Sequence, residues 1–389
     1  MKYKIHLLRD KLLPASLSFI TILLLSRYTV FSSTLKWGTW SYGENLISYP
    51  EKFLRRGLLG ELILLISGEN SAFNTIQVMV FLNCLLLLFL IYKLFRLYQL
   101  SMSQFNLFLL SSFGLLYMIY YGNSFNRKEI FAINFYLIFL YYFKKRDYKI
   151  NNLFKIYLFL SLIFILLIHE GLLFVTIPFY YLTLKEKYKR IANTYLLFGT
   201  IGIIIMLSFQ GNEDDVLNMW NKINEFDQLL IGDLKSSAIY ALAYSYEKQI
   251  FYQSGFDIIL SGRLNHWLFI IFYFFIYLFL NHFEGDFEKL NKAKSELFKK
   301  EMLYCLPLFI FGGADWGRYF LFFIYIYYFY LIFKFDLKKI DINSTASLKY
   351  LNIFVIYSFF TIIPEATYQD IDIIEKVRNS IDEIFKLLS

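Results

Sequence analysis

The sequence predicts an all-α fold: a polytopic transmembrane helical bundle of about eleven spans with one large extracytoplasmic loop. Three observations predict it. Apolar runs long enough to cross a hydrocarbon core of roughly 30 Å recur along the chain. Only 18% of the 389 residues are charged, against about 25% in soluble domains, and the mean hydropathy is +0.48. The charges stand in short clusters between the apolar runs, and lysine and arginine favour alternate clusters.

The apolar runs place spans near 13–31, 75–92, 105–121, 129–143, 153–168, 171–184, 194–209, 266–280, 302–311, 319–333 and 350–363. The first has a basic start but no small-residue cleavage pattern, so it reads as a retained span rather than a signal peptide. Residues 58–66 are apolar but too short to cross, and read as an interfacial or re-entrant piece. With the N-terminus cytoplasmic, the inner segments are 1–12, 93–104, 144–155, 185–193, 282–301 and 334–349. They hold 24 of the 39 lysines and arginines, as the positive-inside rule requires. Were 58–66 to cross, every later basic loop would fall outside.

Three stretches then read as helical hairpins with basic feet: 105–143, 153–184 and 302–333. The second spans about 48 Å as one helix, too long for one crossing and short for two, so its tip is expected slightly below the outer surface. The whole chain, 1–389, is read as one integral membrane domain. Residues 210–265 form the large outer loop, with amphipathic helices expected around 216–230 and 238–252. The tail, 365–389, alternates charged and apolar residues and suits a helix on the outer membrane surface, with the C-terminus extracytoplasmic.

Other features narrow the function classes. The net charge of +8 comes largely from the inner loops and does not point to nucleic acid. Cys84 and Cys305 both fall in expected spans and imply neither a disulfide framework nor a metal site. Four scattered histidines, and no phosphate-loop, zinc-protease or hydrolase-elbow motif, leave no metal and no cofactor indicated.

Four polar clusters stand out, all on the outer side. They are Arg55-Arg56-Gly57, Asn126-Arg127-Lys128-Glu129, His169-Glu170-Gly171, and the run from Gly312 through Asp315-Trp316-Gly317-Arg318. Ionisable groups at membrane depth cost roughly 2.5–3.5 kcal/mol each on insertion scales, so they persist when paired, hydrated or used. Arg55, Arg56, Arg127, Lys128 and Arg318 suit an anionic head group such as a lipid-linked pyrophosphate, because guanidinium groups bind phosphate bidentately and keep their charge in low dielectric. The other reading pairs them with Glu61, Glu129, Glu170 or Asp315 merely to hold the bundle.

His169 and Glu170 interrupt an apolar run. An imidazole beside a partly desolvated carboxylate could take a proton from a sugar hydroxyl as that hydroxyl attacks. A hydrogen-bonded polar hinge, with Gly171 allowing the turn, is the structural reading. Asp315 is a candidate base or arginine partner, Trp316 can stack on a sugar or mark the interface, and Arg318 is the phosphate candidate of the third hairpin. The first outer loop carries Glu44 and Glu51 but no adjacent acidic pair.

In its size, span count, large outer loop and these clusters, the chain resembles the bacterial O-antigen and capsular polysaccharide polymerases of the Wzy type. The resemblance implies a membrane-embedded glycosyltransferase of the bacterial inner membrane. Its partners would be undecaprenyl-pyrophosphate-linked oligosaccharide, membrane lipid and a chain-length regulator. The growing glycan would be donor and a new repeat unit acceptor, joined at the outer leaflet without metal or nucleotide, with arginines on the leaving pyrophosphate. Members of that family carry arginine pairs in the large outer loop, where this chain has Arg263 alone. Three other readings stay open: a glycosyltransferase using a polyprenyl-phosphate sugar, a flippase or transporter for lipid-linked oligosaccharide, and an acyltransferase with His169 as base. No internal repeat favours the transporter.

Overall fold

In the computed structural model, the described residues are 22, 39–49, 52–67, 71–100, 104–105, 108–109, 127–226, 239–243, 271, 274–279, 282–283, 286–311 and 316–335. Their regular structure is all helical, with no strand among them. The expected spans 105–121 and 266–280 are described only in part. The first span is described at one residue, and the span 350–363 and the tail 365–389 lie outside the described residues.

Ten α-helices carry the description: α1 Thr39–Leu46, α2 Leu58–Ser67, α3 Ala72–Leu97, α4 Glu129–Lys145, α5 Asn152–Ile168, α6 Leu173–Leu207, α7 Glu213–Phe226, α8 Phe287–Leu297, α9 Leu306–Phe311 and α10 Trp316–Phe335. Short 3-10 turns at Glu170–Leu172, Tyr240–Leu242 and Lys300–Cys305 join or precede them. Two segments, Ala72–Leu97 and Glu170–Leu207, are long and apolar enough to cross a membrane; Leu58–Ser67, Asn152–Ile168 and Tyr319–Phe335 are shorter apolar helices.

The second long segment is not one crossing. Tyr188 has φ −136 and ψ 53, outside the helical region, and the chain folds back there. Tyr180 stacks on Tyr195 with ring centroids 4.9 Å apart, and a Cβ on Gly199 would lie 2.4 Å from the Ile177 side chain. The two arms of α6 therefore run antiparallel and closely packed at Gly199. The break falls inside the run Lys185–Arg190, where the sequence places an inner loop.

Each helix starts and stops for local reasons. The Asn151 side chain accepts from the Phe154 amide at 2.9 Å and opens α5. Asp286 accepts from the Glu288 and Lys289 amides and opens α8. Asn212 and Asp215 bond each other's amides at 2.9 and 2.8 Å. This reciprocal box starts α7 three residues before the expected 216, so Glu213, Asp214 and Asp215 form its first turn, beside the positive end of the helix dipole.

The longer helices α3, α5 and α10 are apolar nearly all round, whereas α7 and α8 are amphipathic. Along α3, Ile76, Val80, Leu87, Ile91 and Leu94 face the core, while Val78, Leu82, Leu86 and Phe89 are exposed. Aromatic packing fills the centre: Phe179 of α6 meets Phe323, Tyr327 and Tyr330 of α10. Asn134 of α4 bonds the Asn83 side chain of α3 at 2.5 Å, tying two buried amides together.

The bundle has two chemically distinct ends. At one, the Tyr188 hydroxyl bonds the Tyr148 carbonyl at 2.9 Å, Phe143 stacks on Phe333, and Lys334 pairs with Glu186. Lys144–Arg146, Lys149 and Lys185–Arg190 gather there. At the other end lie Arg55, Arg56, Arg127, Lys128, His169 and Glu170, with the Arg55 amide bonded to the Phe209 carbonyl at 3.1 Å. α4, α5 and the arms of α6 each rise about 22–29 Å between these ends.

Candidate functional site

Arg55 and Arg56 occupy a tight turn ahead of α2. Arg56 has φ +66, a left-handed conformation that costs a non-glycine residue roughly 1 kcal/mol or more. The turn lets two consecutive arginines aim at one acceptor. Arg56 grips the Glu170 carboxylate through Nε at 3.1 Å to both oxygens and Nη2 at 2.8 Å to Oε1. Arg55 Nη1 donates to Oε1 at 3.3 Å. Burial alone would lower the Arg56 pKa; the Glu170 charge beside it outweighs that and holds it above the ordinary value.

Lys128 precedes α4 and is fully buried. Its Nζ donates to the Arg56 carbonyl and to the Ile168 carbonyl, both at 3.1 Å. Ile168 ends α5, so the ammonium sits on one of the carbonyls that a helix C-terminus leaves open. One lysine thereby fastens the arginine turn to the end of α5.

His169 leaves the helix in extended conformation, φ −169 and ψ 101. Its Nδ1 accepts from the Gly171 amide at 3.2 Å, which assigns the ring proton of the neutral imidazole to Nε2. Nε2 lies 3.6 Å from Glu44 Oε1. The other Glu44 oxygen accepts from Arg127 Nη1 at 2.8 Å. The Tyr319 ring meets the imidazole edge-on at 6.4 Å.

Five separate segments thus meet: the last turn of α1, the arginine turn, the start of α4, the α5–α6 tip and the first turn of α10. Arg55, Arg56, Arg127, Lys128, His169 and Glu170 come together as a cluster. Trp316 and Arg318 lie in the first turn of α10, just before Tyr319; Asp315 lies outside the described residues. Glu61 is elsewhere engaged, its Oε2 accepting from the Tyr49 amide at 3.2 Å.

Glu44 is the member that sequence reasoning missed. It stands 125 positions before His169, in the last turn of α1, with no repeated acid to mark it. Gly60 holds it in place: a Cβ there would lie 2.1 Å from the Ile47 carbonyl oxygen, so only glycine lets α2 pack against the backbone that follows Glu44.

Both Glu170 oxygens are taken by arginines, which makes this carboxylate a clamp for the cations. Glu44 and His169, with Oε1 and Nε2 3.6 Å apart, form the acid–base pair of the cluster. Among the described residues the cluster brings four cations, Arg55, Arg56, Arg127 and Lys128, together with the carboxylates of Glu44 and Glu170. Most of the cluster is sealed, with Glu170 only 2% exposed; the Arg56 side chain, at 24%, is its way out to solvent. Among the described residues no group of three or more His, Cys, Asp or Glu side chains could hold a metal ion.

The other described histidine, His282, lies between Gln104, with its Nε2 3.4 Å from Nδ1, and Tyr328, whose hydroxyl is 3.0 Å from Nε2. Burial pushes its pKa down to about 3, and it is far from the cluster. Comparison with protein-family models, with characterised proteins and with solved structures returns no match.

Proposed function

We propose that the chain is a polytopic membrane glycosyltransferase of about eleven spans in a bacterial inner membrane. In this reading it polymerises lipid-pyrophosphate-linked oligosaccharide repeat units at the outer leaflet. One observation carries the reading: four cations, a histidine and two carboxylates from separate segments converge at the end of the bundle opposite the basic loops. The exposed apolar faces of α3, α5 and α6 support a lipid surround, since Leu82, Leu160 and Ile204 are each more than half exposed and water disfavours such continuous faces.

In this mechanism the pyrophosphate of the donor glycan docks at Arg56 and Arg127, the members nearest solvent, with Arg318 from the third hairpin. Arg55 and Lys128 hold the arginine turn in place. A hydroxyl of the acceptor repeat unit attacks the anomeric carbon; the bond from that carbon to the phosphate oxygen breaks, and polyprenyl pyrophosphate leaves. The hydroxyl proton passes to the Glu44–His169 pair. Fixed guanidinium groups in low dielectric stabilise the charge that grows on the departing oxygen, an electrostatic contribution. Trp316 supplies a stacking surface for a sugar.

Glu44 favours a second reading, transfer from a polyprenyl-phosphate sugar, because an acid of the first outer loop sits in the cluster. Deleting the gene and resolving surface glycan on a gel separates the two. Loss of a polymerase leaves single repeat units on the lipid anchor. Loss of a single-sugar transferase leaves chains of normal length lacking one residue, and loss of a flippase leaves no exposed units; either outcome overturns the polymerase reading.

A further inference from the structure

At the opposite end of the bundle, the second arm of α6 carries a feature that transfer chemistry does not use. Lys189, Arg190, Asn193, Thr194 and Leu197 line an open groove of about 490 Å³. The neighbouring cations are committed: Lys185 to Glu301 at 2.8 Å, Lys187 over the Tyr148 ring at 4.0 Å, and Lys334 to Glu186. The Lys189 and Arg190 side chains have no ion-pair partner among the described residues, and both are exposed. One turn further on, the same helix face becomes apolar. Leu197, Ile201 and Ile204 follow at helical spacing, 43–64% exposed.

We infer that this groove seats the head group of a phospholipid of net negative charge, with its acyl chains along Leu197, Ile201 and Ile204. The polar-to-apolar change within one turn matches the boundary between head groups and hydrocarbon. Two uncommitted cations and an Asn193 amide supply donors to a phosphate at that depth, and basic pockets on the cytoplasmic side of helical membrane proteins select such head groups. The inference rests on the membrane part of the proposed function and not on the transfer chemistry.

The test measures lipid retained by the purified full-length protein in detergent, offered phosphatidylglycerol or phosphatidylcholine, by native mass spectrometry. Wild type keeps phosphatidylglycerol in preference. The double variant Lys189→Gln/Arg190→Gln loses about 30-fold of that preference, each surface charge being worth about fivefold. Lys145→Gln/Arg146→Gln removes two charges from the same end and leaves the preference intact. Equal losses in the two variants would mean diffuse surface charge and overturn the site. Equal retention of phosphatidylcholine by wild type, or displacement of the lipid by millimolar inorganic phosphate, would overturn it as well. A protein that stays dispersed without detergent would instead overturn the membrane reading.

Discussion

Replacing Glu170 with glutamine removes the carboxylate that faces both Arg55 and Arg56 while keeping its shape. The two arginines do not respond alike. Arg56, with a side chain 24% exposed, can turn to water. Arg55, at 2%, cannot. Removing one partner of a buried ion pair costs about 3–5 kcal/mol, because the remaining charge stays buried. Arg55 carries most of that cost, so Glu170→Gln is expected to lose about 3–5 kcal/mol. Arg56→Gln should lose less, about 1–3 kcal/mol, as a charge-assisted bond at a partly solvated site. The second change that rescues the first is Arg55→Met, which replaces the stranded charge with an apolar side chain of similar length. Unfolding of detergent-solubilised protein, followed by denaturant titration, measures all four species of the cycle. Glu170→Gln as stable as wild type, or Arg55→Met/Glu170→Gln no more stable than Glu170→Gln alone, would refute the clamp.

Four further outcomes follow from the geometry. Gly60→Ala forces a Cβ to 2.1 Å from the Ile47 carbonyl oxygen; it should lose about 1–3 kcal/mol by the same titration and lower transfer activity. Gly202→Ala should be milder, since its Cβ meets only the movable end of Leu166 at 2.7 Å. Glu44→Gln should slow glycan transfer by about 100-fold or more, the scale of lost acid–base chemistry, in an assay with lipid-linked oligosaccharide whose binding is little changed; unchanged turnover would remove Glu44 from the mechanism. At the basic end, burial raises the Glu301 pKa but the Lys185 bond outweighs it and holds it below the usual range. Its stabilisation is therefore complete above about 4.5, the ordinary glutamate value, and is lost as pH falls through the lowered folded value. Glu301→Gln should flatten the acid limb of a stability-against-pH curve.

The all-helical fold was legible because apolar runs and basic feet repeat along the chain, and the cluster's members were legible because charge interrupts those runs at 55–56, 127–128 and 169–170. Their pairing was not. Nothing in sequence tells that Arg55 and Arg56 share one carboxylate, because that depends on the left-handed turn at Arg56, a position with no glycine to advertise it. Glu170 reads as a candidate base from its apolar neighbours, yet its partners lie 114 and 115 positions away. Glu44 is hidden for the same reason. The fold-back of α6 was readable from Lys185–Arg190 but not its mechanism: one non-helical residue, Tyr188, suffices where a loop was expected. The start of α7 was placed late because its acidic first turn looks like a solvated loop until Asn212 and Asp215 are seen to cap each other.

Sidedness is tested most directly by thiol accessibility in intact cells. Lys52, whose side chain is 49% exposed beside the cluster, and Lys149, exposed at the basic end, are each changed to cysteine; the native Cys84 and Cys305 are buried. A membrane-impermeant maleimide should label Lys52→Cys from outside the cell and Lys149→Cys only after permeabilisation. Labelling of both from the same side, or the reverse order, would contradict a pyrophosphate site on the outer face.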